Sequence, residues 1–192
     1  TDSLGLTIPT ASVTMGNQTA TTTNAHSIAL GIITYTSTTN TRTLTNAATL
    51  YISGAPVAST NVTITNGPYA LWVDAGEIRA DGGVTIADRG TVTQITSITT
   101  GVTLDNRSGA ITTVSTTLAA AGEAEFVLTN STIGANDVVI ANLASTTSAG
   151  TPAVVVSRVA AGSCTLMVQN LHATAALDNT LVINFVVIGV DT

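Results

Sequence analysis

From residue 91 onward the sequence is cut into short apolar runs by turn residues, and this pattern constrains the fold more than any other feature. The runs are TVTQIT (91–96), GAITTVS (109–115), EAEFVLT (123–129), DVVIANL (137–143), PAVVVSRV (152–159), CTLMVQN (164–170) and LVINFVVIG (181–189). Their spacing is that of a β-sandwich. In a strand, successive side chains point to opposite sides. Within 123–129, Ala124, Phe126 and Leu128 therefore share one face, with Glu123, Glu125, Val127 and Thr129 opposite, the alternation of a half-exposed strand. The last run differs. Leu181, Ile183, Phe185 and Val187 form one face, yet Val182, Val186 and Ile188 make the other apolar as well. Both faces need cover, so this strand is expected to be central in its sheet or to lie at a subunit contact.

Composition agrees with an all-β fold. Threonine alone supplies roughly a fifth of the residues, and threonine and valine are stiff at χ1 and favour a pleated surface. Only 8% of residues are charged, against about 25% in an ordinary globular domain. A mean hydropathy of +0.45 argues against disorder. Five arginines and no lysine stand against eleven acids, for a net charge of −6. Such a surface has few cations to displace counterions from phosphates, so neither nucleic acid nor an acidic membrane is an expected partner. LVINFVVIGV (181–190) is too short to span a bilayer. The opening TDSLGLTIPTASVTMG has no basic and apolar signal-peptide regions, so a secretory leader is not expected.

The first half reads differently. Thr43-Leu44-Thr45-Asn46 followed by Leu50-Tyr51-Ile52 is echoed by Thr63-Ile64-Thr65-Asn66 followed by Leu71-Trp72-Val73. A period near twenty residues fits repeated β-rungs, and two hairpins sharing turn chemistry give the same spacing. Trp72, the chain's one tryptophan, lies in PYALWV. Read as a strand, this places Tyr69, Leu71 and Val73 on one face and Ala70 and Trp72 on the other, with apolar residues on both. Either neighbouring copies of the chain cover the second face, or Trp72 packs beneath the second half of its own chain. A boundary is expected in DGGVTIADRGTVTQ (81–94), dividing the chain into a region 1–89 and a sandwich module 90–192. The first forty residues are threonine-rich and poor in large apolar side chains, and read as an extended arm.

Residues capable of chemistry are sparse. His26 and His172 have no partner fixed by spacing, and no GxSxG elbow supports a nucleophilic triad. Cys164 is alone, which excludes an intrachain disulfide, and its strand position suits a small buried hydrophobe. Glu123 and Glu125 could approach the roughly 5–9.5 Å separation of a glycosidase carboxylate pair, but a chain this poor in aromatics offers little floor for a sugar. Asp74, Glu77, Asp81 and Asp88 are the densest acids; their spacing is not that of an EF-hand loop, and Arg79 and Arg89 are nearer partners. No catalytic, cofactor or metal site is therefore expected. Asn17, Asn61, Asn106 and Asn130 head glycosylation sequons, as chance allows in a chain this rich in threonine.

GTVTQITSITTGVTLDNRSGAITT (90–113), FVLTNSTIGANDVVIAN (126–142) and AAGSCTLMVQN (160–170) resemble a module of tailed-bacteriophage virion proteins. TLTNAATLYISGAPVASTNVTITNGPYALWVDAG (43–76) resembles a second module, of phage fibres and head-surface proteins. The resemblance spans about two thirds of the chain and implies a homotrimeric, β-rich protein exposed on the particle. The expected fold is a jelly-roll-like C-terminal sandwich, preceded by a repeat-like region of short strands and the N-terminal arm. Candidate subunit-interface residues are Tyr69, Leu71, Trp72, Val73, Val182, Val186 and Ile188. The expected partners are other copies of the chain and the major capsid protein or another virion protein, in a capsid decoration (cement) protein on the outer surface of the head. A fibre or spike segment contacting the host, and a bacterial surface-layer or adhesin domain, are the alternatives.

Overall fold

The computed structural model describes residues 48, 50–60, 63–64, 68–73, 77–115 and 117–190. The chain divides into two units, Thr1–Ile78 and Arg79–Thr192. Among the described residues every strand lies in the second unit, and there is no helix.

Eight strands build that unit: β1 (Arg89–Thr93), β2 (Val102–Thr103), β3 (Ser108–Thr112), β4 (Glu123–Thr129), β5 (Val138–Thr146), β6 (Pro152–Ala160), β7 (Ser163–Asn170) and β8 (Leu181–Ile188). They form two mixed four-stranded sheets, ordered β1-β3-β8-β5 and β2-β4-β7-β6. The pairs β1/β3 and β2/β4 are parallel, and the other pairs are antiparallel. From β1 to β6 each strand joins the sheet that its predecessor does not. The chain then turns back through the β6–β7 hairpin, where Gly162 takes φ +77°, a conformation in which a Cβ would be strained.

The inner faces of the two sheets share one core, so the arrangement is sandwich-like. Ile111, Leu181, Ile183, Phe185 and Val187 come from one sheet, and Phe126, Leu128, Cys164, Leu166 and Val168 from the other. Burying a large apolar side chain of this kind contributes roughly 1.5–3 kcal/mol. Gly109 is opposite Phe185 in the β3/β8 register, and a Cβ there would lie 2.7 Å from the Phe185 ring. The missing side chain is what lets that ring lie against β3. β4 alternates as its sequence requires, with Ala124, Phe126 and Leu128 buried and the residues between them exposed. β8 is central, hydrogen-bonded to β3 and β5, and Leu181, Ile183, Phe185 and Val187 face the core.

Buried and exposed polar side chains fix the loops. Asn130 is fully buried; its Nδ2 donates to Asn106 O (2.8 Å) and its Oδ1 accepts from Thr132 N (2.9 Å). Asn170 Nδ2 donates to the carbonyls of Leu118, Ala119 and Ala175, while its Oδ1 accepts from Thr151 N and His172 N. Asp88 accepts from Arg107 N and Asn106 Nδ2, Asp105 from Ser131 N, and Asp137 from Gly134 N and Val190 N.

The strand expected at Tyr69–Val73 is not formed. The backbone bends at Ala70 and Leu71, and the Tyr69 and Trp72 rings meet edge to face with centroids 5.6 Å apart. In a strand these residues, three apart, would point to opposite faces, so the bend overrides the alternation. The arm, Thr43–Asn46, Thr65–Asn66 and Asp74–Gly76 lie outside the described residues.

Candidate functional site

The two sheets present unlike outer faces. On β4, β7 and β6 the outward face mixes polar and apolar side chains: Glu123, Glu125, Gln169 and Arg158 stand beside Val127 and Val155, both exposed, and the half-buried Met167. Gln169 Nε2 donates to Glu123 Oε2 (3.4 Å), and Arg158 reaches Thr165 Oγ1 (3.5 Å). On β8 and β5 the outward residues are mostly apolar. Val138 pairs with Ile188, Ile140 with Val186 and Asn142 with Asn184 across the two strands. Val138, Ile140 and Ile188 are 49%, 50% and 47% exposed, while Val182 and Val186 are half-buried. Arg89, two strands away on β1, donates to Asn184 Oδ1 (3.3 Å). The β8 side of this face was legible in the doubly apolar run 181–188. Its β5 side was missed, although Val138 and Ile140 alternate with Val139 and Ala141 as one exposed and one inward set.

Of the seven candidate interface residues, Val182, Val186 and Ile188 thus fall together on one sheet face. Tyr69, Leu71, Trp72 and Val73 belong to the other unit, where all four are exposed, Trp72 at 65%. The structure gathers each set locally.

Of the residues considered for chemistry, His172 and Asp88 hold loops and Cys164 lies in the core. His172 Nδ1 accepts from the backbone N–H of Thr174 and of Ala175, so the imidazole caps its own loop. A depression of about 250 Å³ lies between Gly122–Glu123 and Gln169–Ala173. It brings Glu123 and His172 to one rim, and Glu123 already accepts from Gln169. Glu123 and Glu125 are exposed on the same face of β4, as their alternation predicts. Cys164 is buried, and desolvation pushes its thiol up to about 11, which keeps it protonated and unreactive at neutral pH. Of the acids near 74–88, Asp81 pairs with Arg79 (2.7 Å) while Asp88 holds the β2–β3 loop; Arg89 turns to Asn184. Among the described residues no three His, Cys, Asp or Glu side chains converge. His26 and Asp74 lie outside those residues.

Hydrogen bonds from backbone N–H groups hold three carboxyls below the usual aspartate range: Arg107 on Asp88, Ser131 on Asp105, and Gly134 with Val190 on Asp137. Asn106 adds a side-chain bond to Asp88, and the Arg107 guanidinium favours the charged form of both Asp88 and Asp137. All three aspartates act as loop staples.

No family model matches the chain, and neither a curated protein nor a solved structure matches it. Among the described residues no helix is long and apolar enough to cross a membrane.

Proposed function

We propose that this protein is a structural component of a tailed-phage particle, a homotrimer that decorates the outer surface of the head and stabilises the shell. The observation that carries the reading is the apolar outer face of β8 and β5, where Val138, Ile140 and Ile188 stand about half exposed in a single chain. Covering each of them would contribute about 1 kcal/mol, a gain realised only on assembly. Eight strands in two four-stranded sheets match the jelly rolls of viral capsid and lectin domains in number, while the parallel β1/β3 and β2/β4 pairs depart from their antiparallel pattern. The sequence resemblance to phage virion modules supplies the particle.

The mechanism is mechanical. A trimer that bridges neighbouring capsid subunits binds only the assembled shell, and so adds free energy against its rupture. Three modest attachments acting together hold far more tightly than one. The net charge of −6 suits the outside of a particle packed with nucleic acid.

Gold-labelled antibody on purified particles, with copy number from quantitative mass spectrometry, tests the location. Label over the head surface is expected. Label confined to the tail would replace this reading with the fibre one, and absence from the particle would end both. Light scattering on the purified protein tests the trimer.

A further inference from the structure

We infer that copies of this chain meet through the outer face of the β1-β3-β8-β5 sheet, centred on Ile140, Asn142, Asn184 and Val186. The inference rests on the homotrimer reading and assigns its contact surface in the second unit. Charge selects the occupant. The chain is acidic overall, so a second copy is repelled wherever carboxylates cluster. The outward residues of this sheet include no acid at all, and its one cation, Arg89, is bonded to Asn184. A basic partner would instead select the other sheet, whose outer face carries Glu123 and Glu125.

The face is also self-complementary. Asn142 and Asn184 lie opposite one another in the β5/β8 register, between the apolar pairs. Asn142 Nδ2 donates to Leu143 O and Asn184 Oδ1 accepts from Arg89, which leaves the Asn142 oxygen to accept and three N–H groups to donate, one on Asn142 and two on Asn184. Around a threefold axis the N–H groups of one copy can meet the Asn142 oxygen of the next. Without such pairing their burial would be costly.

The test uses the full chain. Ile140→Glu on β5 and Val186→Glu on β8 place a carboxylate at the centre of the face, and Val155→Glu places one on the exposed face of the other sheet. Sedimentation velocity is expected to show self-association weakened roughly a hundredfold or more by each of the first two, and unchanged by the third. A second measurement does not depend on those variants folding. The Ile140→Cys variant should react slowly with a maleimide in the assembled protein and rapidly after dilution to monomer, with Cys164 silent because it is buried. An oligomer that survives both glutamates, or an Ile140→Cys thiol that labels rapidly within it, overturns this contact while leaving the trimer standing. A wild-type chain that is monomeric at micromolar concentration overturns the trimer itself.

Discussion

Phe126 and Trp72 are both large aromatics set among apolar neighbours, and the two units treat them in opposite ways. Phe126 is 2% exposed in the second unit, and Trp72 is 65% exposed in the first. Leu50, Tyr51, Ile52, Leu71 and Val73 are bare as well. Hydrophobicity does not separate the two sets. The difference lies in the strand that each flanking sequence can build. Around Phe126 the alternation persists for seven residues, and β7 offers a matching run that pairs with it throughout. Around Trp72 the apolar run is short and bends, and among the described residues of that unit no strand pairs with it. Phe126 has a paired backbone and an opposing sheet to cover it, whereas among the described residues the Leu71-Trp72-Val73 triplet has neither and is exposed.

The largest expected effect tests the buried half of this contrast. Phe126→Ala removes a ring from the layer between the sheets and should destabilise the second unit by about 3–5 kcal/mol. Denaturant unfolding monitored by far-ultraviolet circular dichroism measures it, and the loss should not vary with protein concentration. A cost below about 1 kcal/mol would mean that the two sheets do not share this core.

Asn130→Ala comes next. Its amide is fully enclosed, and its removal leaves the Asn106 carbonyl and the Thr132 N–H without their partner. A buried polar group left unsatisfied costs about 1–3 kcal/mol, so a loss of roughly 2–3 kcal/mol is expected in the same experiment. Full stability would show that water replaces the amide and that the loop is not enclosed.

Residues like these explain what could be read from sequence. All seven apolar runs contain strands, because period-2 alternation is a local property and the structure obeys it. β4 keeps the bounds of its run at 123–129. β2 is only two residues long and carries no period, so Val102–Thr103 gave no signal. The parallel pairings β1/β3 and β2/β4 were equally silent, since strand partners are chosen by contacts distant in sequence. Asn130 read as a sequon residue and Asn170 as the end of the run 164–170; their hydrogen bonds span up to 52 positions. The candidate face was half legible. Doubly apolar β8 announced it, whereas β5 required the register that places Ile140 beside Val186.

Acid should loosen the second unit by a smaller amount. Asp88, Asp105 and Asp137 have pKa values held below that of a free aspartate by the N–H groups they bind. Their contribution is therefore complete above the unfolded value, near pH 4, and is lost as pH falls through the lower folded values. The unfolding midpoint should stay level from pH 7 to about 5 and decline below about 4. Asp137→Asn should be less stable at pH 7 and show a shallower decline. A midpoint that rises on acidification would reverse the sign of the argument.

The smallest expected change in stability belongs to Trp72→Ala. Because Trp72 is exposed and lies in the first unit, its loss should leave unfolding of the second unit within about 0.5 kcal/mol of wild type. A concentration-independent loss above about 1 kcal/mol, the size of an ordinary destabilising substitution, would show that Trp72 belongs to the second unit's core, and the contrast with Phe126 would collapse. Fluorescence sharpens the point further, because the chain's single tryptophan reports on the first unit alone. Dilute protein should emit with a solvent-exposed maximum and be quenched readily by acrylamide. Concentrating the protein should shift the emission to the blue and protect it from quenching, if the bare Leu71-Trp72-Val73 triplet finds its cover in neighbouring copies. Emission that stays red and quenchable in the assembled trimer would leave the sheet face of β8 and β5 as the contact and remove Tyr69–Val73 from it.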